Sequence, residues 1–502
     1  MIRMLFDRLF HRSKPTWLER HFFITVLAAM VVAMTISLAI GLHQSVWFDE
    51  SYSILVAKQP VAQLVHLASV DTHPPFYYLL LKAWGSLFGW SAIALRGLSV
   101  LAMGGALVVG AFLVRRLFGV RTAVISLPFV AFAPFLLRYG FEIRMYALAS
   151  LIGIAATYVL VRGVQATTAN EQAKYYIFYA LLVALGVYTL YYTVLLWIAH
   201  VVWLIWLDRR YKWAMIKRPW FLALIGSFVL FLPWLPTFVF QITHSALAPI
   251  AQALTMENIS GIVSFSFLYQ PSWQLTGLTS LVILLVIIAT SFVVASAFGQ
   301  ASGKEKPYLV LLCLYWMIPI ALIALISLKS PMYVERYLSH VLIGASMLVG
   351  VSIAFIIQHN KKAWYIGGAL LVVMIAGVVH LAMVGNYNFQ RLQTPETKAI
   401  ASSYECNDTT YIASGPFSYI EGSYELDGCD FRFFATENPA FHGGFAPLHD
   451  SLARLTSTTS LTAKRLLLVD FNSNHKVLVP DSRYHFVTSK MFDGTQVVEY
   501  RQ

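Results

Sequence analysis

Four short clusters carry residue types suited to acid–base and anion-binding chemistry. The first is Trp47-Phe48-Asp49-Glu50-Ser51-Tyr52, and the second is Asp71-Thr72-His73-Pro74-Pro75-Phe76-Tyr77-Tyr78. The third runs from Tyr139 to Tyr146 and holds Glu142 and Arg144; the fourth is Tyr333-Val334-Glu335-Arg336-Tyr337. A positioned carboxylate can take a proton from a weak nucleophile. An arginine presents a rigid fork of donors to an anion. Each cluster also has a plainer reading. Asp49-Glu50 could cap a helix, and the Pro-Pro segment could be a simple loop. Glu142 and Arg144 could pair with each other, and Arg336 could be a snorkelling anchor. Together the clusters predict a site for an anionic, lipid-linked substrate held at a membrane surface, because ionisable residues in an apolar setting are functional candidates by default.

That setting follows from the composition. Of 502 residues, 58% are hydrophobic and only 12% charged. Soluble proteins average about 25% charged residues, so a soluble enzyme is excluded. Disorder is excluded too, since disordered chains lack this much apolar surface. Eleven apolar segments are long enough to be read as helical spans, near 22–42, 96–114, 122–138, 146–163, 175–190, 191–207, 219–240, 275–298, 308–328, 338–357 and 364–385. The run 175–207 is divided by a turn expected near Tyr188. Residues 51–68 read as amphipathic, and 75–90 as a short interfacial or re-entrant helix behind Pro74-Pro75. The first apolar segment is too long for a cleavable signal and no A-x-A site follows it.

The net charge of +12 would suggest nucleic acid in a soluble protein. In a membrane chain it reports orientation instead, and no nucleic-acid partner is expected. Alternate gaps hold Arg3, Arg8, Arg12, Lys14 and Arg20; Arg115, Arg116 and Arg121; Arg162 and Lys174; Arg209, Arg210, Lys212, Lys217 and Arg218; Lys304 and Lys306; Lys361 and Lys362. The opposite gaps hold only Lys58, Lys82, Arg96, Arg138, Arg144, Lys329 and Arg336. The first set is expected in the cytoplasm. The N-terminus is then inside, and Asp49, Glu50, Asp71, Glu142, Glu257 and Glu335 share the outer side.

The expected architecture is therefore a polytopic α-helical membrane domain over 1–385, with juxtamembrane helices in its first external loop, and a small extracytoplasmic α/β domain over 386–502. In the latter, 409–414, 431–436 and 465–471 read as strands, and 416–424 and 446–456 as helices. Asp493-Gly494 reads as a hairpin turn between 484–491 and 495–501. Cys406 and Cys429 both fall in this external domain, where they could pair or stay as thiols. Cys313 lies in a span and is read as packing.

The motifs WFDESYS (47–53), THPPFYYLLLKAW (72–84), LRGLSVLAMGG (95–105), EIRMYAL (142–148) and ERYL (335–338), in this order and on one side, resemble the multispanning C-type glycosyltransferases. The nearest grouping is glycosyltransferase family 39, with its dolichyl-phosphate-mannose–protein mannosyltransferases and bacterial lipid A aminoarabinose transferases. The resemblance covers about residues 1–360. It implies inverting transfer of a sugar from a polyprenyl-phosphate donor on the outer side of the cytoplasmic membrane. By position, Asp49 matches the family's catalytic aspartate, Glu50 completes the acidic pair, and Glu142 stands where a second carboxylate is kept. Arg336 matches the arginine of the late motif. His73 heads the x-Pro-Pro motif, where some members carry lysine.

The residues then take expected roles. Asp49, Glu50 and Glu142 are the catalytic candidates, with Asp49 as the base. Arg336, Arg144 and His73 are candidates for the donor phosphate. Tyr52, Tyr77, Tyr146, Tyr269 and Trp273 suit a substrate groove. No cofactor is required, and a divalent metal on the external carboxylates is left open. The acceptor could be a protein, a glycolipid or a wall polymer. A transporter or flippase of a lipid-linked substrate is the rival reading, but its binding residues belong at mid-membrane on broken helices. Here the charges gather at one end of the spans.

Overall fold

The computed structural model describes residues 17–209, 216–244, 255–270, 276–385, 397–441, 443–469, 478, 480–492 and 495–502. Helices occur at all eleven predicted places. Among the described residues, eight are long and apolar enough to cross a membrane: Trp17–Leu42, Ala92–Phe118, Tyr146–Gln165, Pro219–His244, Gly277–Gln300, Lys306–Ser327, Glu335–His359 and Ala363–Val384. The pair Val120–Ala131 and Pro134–Gly140 makes a ninth if taken as one span bent by 64°. The count of eleven spans is not reproduced by these criteria. Ala169–Thr189 begins with Asn170, Glu171 and Lys174, which dilute its apolar run, and Thr193–Asp208 has 16 residues. The expected turn between these two helices lies at 190–192.

The bend has a local cause. Pro134 bars its predecessor from the helical region, and Ala133 is extended at φ −68°, ψ 111°. The chain restarts as the short helix Pro134–Gly140, which ends at the Glu142 loop. Close approach is needed there. A Cβ on Gly41 would lie 2.8 Å from the Phe141 ring, so the end of the first span can meet that loop only as glycine.

Between the first two spans the chain lays down three short helices, Phe48–Lys58, Val61–Val70 and Phe76–Phe88. None is long enough to span. The last buries Tyr77, Tyr78 and Leu81 and leaves Leu87 and Phe88 exposed, as an interfacial helix should.

The C-terminal domain is a six-stranded mixed sheet: β1 (Thr409–Ala413), β2 (Asp430–Phe434), β3 (Arg454–Leu455), β4 (Arg465–Val469), β5 (His485–Phe492) and β6 (Thr495–Arg501), in the order β3-β2-β1-β4-β6-β5. β1 is parallel to β2 and β4, and β5–β6 is antiparallel. The buried residues of β1 and β4 explain their central positions. Cys406 and Cys429 are joined, with Cα atoms 5.1 Å apart. The helix expected over 446–456 does not form. Ala446–Leu448 is a single 3-10 turn, Asp450 has a left-handed φ of 53°, and Leu455 pairs with β2 instead. The Asp493-Gly494 turn lies outside the described residues.

Candidate active site

The helix Phe48–Lys58 starts from Trp47, and neither Asp49 nor Glu50 is its N-cap. Both sit in its first turn, where the positive end of the helix dipole favours carboxylates. Adjacent helical residues diverge by about 100°, so the two acids face different partners.

Glu50 faces inward. Arg96 Nε and Nη2 donate to its two oxygens at 3.1 and 2.8 Å, and Ile143 N donates at 3.0 Å. Arg96 also donates to the carbonyls of Gly41, Gln44 and Ser45. Glu142 is bound as tightly. Arg138 Nη1 donates to one oxygen at 3.0 Å and Trp47 Nε1 to the other at 2.9 Å. Its partner is thus Arg138 one turn back, not Arg144. Burial pushes the Glu142 carboxyl up to about 7, against the opposing pull of Arg138. Arg138 Nε donates to the Tyr269 hydroxyl at 3.2 Å, which brings Tyr269 to this frame.

Asp49 faces a different set. Its Oδ2 lies 3.4 Å from Arg336 Nε and 3.9 Å from Arg144 Nε. These three buried atoms have no hydrogen-bond partner among the described residues. Arg144 is steered from its far end: Nη1 donates to Ser53 Oγ at 3.2 Å and Tyr78 Oη at 3.4 Å, and Nη2 approaches His73 Nε2 at 3.4 Å. Ser53 Oγ donates in turn to the Asp49 carbonyl at 2.8 Å. Arg336 lies over the Trp47 and Tyr337 rings at 5.8 and 5.7 Å. It is held by aromatic faces, not extended to an interface.

His73 lies 3.5 Å from Asp71 Oδ2, and its ring meets Tyr337 edge-on at 5.6 Å. Burial, reinforced by the charge of Arg144, lowers its pKa below the ordinary 6.5. Histidine here is neutral at neutral pH, a polar neighbour and not a second cation. Tyr146 packs against Tyr139 and Tyr337, and Tyr52 and Tyr77 pack against Tyr78. These predicted groove tyrosines are therefore buried in two aromatic groups, Tyr52 and Tyr77 with Tyr78, and Tyr146 with Tyr139 and Tyr337. Trp273 lies outside the described residues, as does the Glu257 side chain.

Sequence reasoning gives no individual role to Trp47, Ser53, Tyr78 or Tyr337, which lie within the predicted motifs, and does not select Arg96 or Arg138 as site residues. One signal was available for the arginines. Four external arginines, 96, 138, 144 and 336, accompany the external acids in an apolar chain. Each is now seen against a carboxylate. Among the described residues no group of three or more His, Cys, Asp or Glu could hold a metal ion.

The C-terminal domain rests on the same end of the membrane region. Phe417 stacks on Phe48 at 4.5 Å, Lys58 pairs with Asp427 at 2.7 Å, and Gly443 N donates to the Val70 carbonyl at 2.8 Å.

Comparison with known proteins bears on the fold. Crystal structures of ArnT from Cupriavidus metallidurans, bound to undecaprenyl phosphate and in the apo state, superpose with TM-scores of 0.58 at 13% and 12% identity. Both matches cover 95% of this chain and 97% of the other. The chain has the C-type glycosyltransferase fold. Dolichyl-phosphate-mannose-protein mannosyltransferase is the family whose profile matches, over residues 72–237. That stretch includes His73, Glu142 and Arg144 and leaves out Asp49 and Arg336. An Archaeoglobus fulgidus oligosaccharyltransferase, crystallised with Zn and sulfate, is 13% identical over 79% of this chain and 61% of that one, with a TM-score of 0.47. No curated protein matches by sequence.

Proposed function

We propose that the protein is an inverting membrane glycosyltransferase, moving a sugar from a polyprenyl-phosphate donor to an acceptor hydroxyl at the extracytoplasmic face of the cytoplasmic membrane. The observation that carries this reading is the Asp49 carboxylate set between Arg144 and Arg336, with the facing atoms of all three unbonded. One acid able to take a proton stands beside two donors able to hold an anion.

In the reaction, the acceptor oxygen bonds to the anomeric carbon from the face opposite the phosphate. The bond from that carbon to the phosphate oxygen breaks in the same displacement, which inverts the centre. Asp49 takes the hydroxyl proton and later gives it to water. The bond pair leaves with the polyprenyl phosphate, whose charge Arg144 and Arg336 stabilise through preorganised donors. No general acid is needed, because the leaving group is already an anion. His73, neutral and 3.4 Å from Arg144, orients that arginine. Glu50 and Glu142, each bonded to its own arginine, hold the Asp49 helix and the Arg144 loop in register. The placement outside rests on the excess of Lys and Arg in the opposite loops.

Ligand binding tests the donor class. Undecaprenyl phosphate in detergent should raise the melting temperature of the protein, and a nucleotide sugar should leave it unchanged. Stabilisation by the nucleotide sugar alone would overturn the proposal.

A further inference from the structure

The helix that carries Asp49 is gripped on a second side by the C-terminal domain. Phe48 and Ser51, three apart and so on one helical face, bracket the two acids. Phe48 stacks on Phe417 with ring centroids 4.5 Å apart and planes 6° from parallel, and Phe445 meets it edge-on at 6.3 Å. Ser51 Oγ donates to the Glu421 carbonyl at 3.1 Å in a buried contact. Phe417 and Glu421 belong to one helix, Pro416–Gly422. That helix lies inside the loop closed by Cys406 and Cys429. The same closed loop supplies Asp427 to Lys58 at 2.7 Å and the Tyr424 hydroxyl, which accepts from Ala92 N at 2.6 Å. Ala92 opens the span that carries Arg96, the partner of Glu50.

The rotation of the helix is thus set by two independent holds. Glu50 is fixed to Arg96, and the Phe48–Ser51 face is fixed to the C-terminal domain. Asp49 is left pointing at Arg144 and Arg336 because the sides next to it are occupied. We infer that Phe417, with the disulfide-closed segment 406–429 behind it, is a positioning residue for Asp49, and that the C-terminal domain is a working part of the active site. The inference rests on the proposed role of Asp49. A displacement of about 1 Å away from the chemistry can cost about 10²-fold in rate.

The test uses the full chain in detergent, with total cell-envelope extract as the source of both donor lipid and acceptor and release of undecaprenyl phosphate followed by mass spectrometry. Phe417→Ala should lower turnover at saturating lipid by about 10- to 100-fold, a displacement effect, while the melting temperature changes little. Phe417→Tyr keeps the ring and should restore the rate. In an Asp49→Asn background, Phe417→Ala should add nothing, since there is no base left to misplace. A loss of equal factor in both backgrounds would mean a general structural role and overturn the inference. Wild-type turnover in Phe417→Ala beside an inactive Asp49→Asn would also overturn it and leave Asp49 as the base. An active Asp49→Asn would instead overturn the reading of Asp49. No release by the wild type would overturn both.

Discussion

Two clusters of carboxylate and arginine lie side by side in this protein, and they differ in how completely they are paired. In the inner cluster, Glu50–Arg96 and Glu142–Arg138 meet at 2.8 and 3.0 Å, and further N–H donors reach both carboxylates. In the outer cluster, Asp49 faces Arg144 and Arg336 at 3.9 and 3.4 Å without a hydrogen bond to either. The residue types are the same. A buried pair joined by direct hydrogen bonds is stiff, and breaking it leaves a costly uncompensated charge. A loosely apposed set keeps its capacity for an incoming anion and an incoming proton. Trp47 joins the two: its indole N–H donates to Glu142 and its ring lies under Arg336.

The sharpest way to break this comparison is to neutralise each acid of the adjacent pair. Asp49→Asn should lower sugar transfer by about 10²–10⁴-fold, the contribution of a placed general base, with expression and melting temperature retained. Transfer that survives would move the base elsewhere. Next in size is Arg336→Ala, which should cost about 10²–10³-fold in turnover, as loss of one preorganised donor does. Arg336→Lys should stay impaired, because an ammonium lacks the planar fork that rests on Trp47 and Tyr337.

The inner cluster should answer in stability. Glu50→Gln leaves Arg96 buried without its carboxylate and should destabilise the folded protein by about 3–5 kcal/mol, read as a lower midpoint in thermal or denaturant unfolding. A variant as stable as the wild type would erase the distinction between the clusters. Reducing Cys406–Cys429, which are 23 residues apart, should lower the stability of the C-terminal domain by about 3 kcal/mol through loop entropy. Limited proteolysis with and without reductant would show it.

The smallest expected effect is a pH dependence at the edge of the outer cluster. The folded pKa of His73 lies below 6.5, so unfolding takes up a proton in that range. Stability should fall as pH drops below about 6.5 toward the lowered pKa and be unaffected by this group above it. His73→Gln should flatten that acid limb. An unchanged limb would show that His73 titrates normally.

Much of the membrane region was legible because its signal is one-dimensional. A run of apolar residues such as 277–300 must be helical in lipid, whatever its neighbours, since no water is present to satisfy its backbone. The short helix Phe76–Phe88 was legible through its length and its prolines, whereas the stretch read as amphipathic over 51–68 is broken at Gln59-Pro60 into two helices. One expectation fails and another, the number of spans, is not reproduced. The segment 446–456 has helix-compatible residues, yet β2 offers Leu455 a ladder partner, and tertiary pairing overrides local propensity. The count of spans depends on how the polar start of 169–189 and the bend at Phe132-Ala133 are accommodated, which composition does not encode.

The site divides in the same way. The sequence by itself determined that acids and arginines gather at one end of the spans, because charge is expensive inside a bilayer and its distribution along the chain is visible in the letters. It also determined that Asp49 and Glu50 diverge, because adjacent residues on a helix cannot share a face. Only the tertiary structure decided which of the two is locked and which is open. Arg96 lies 46 positions from Glu50, Arg336 still farther along the chain from Asp49, and Phe417 farther again. Pairing at such separations is set by how helices pack and where a second domain docks, and no local pattern records it.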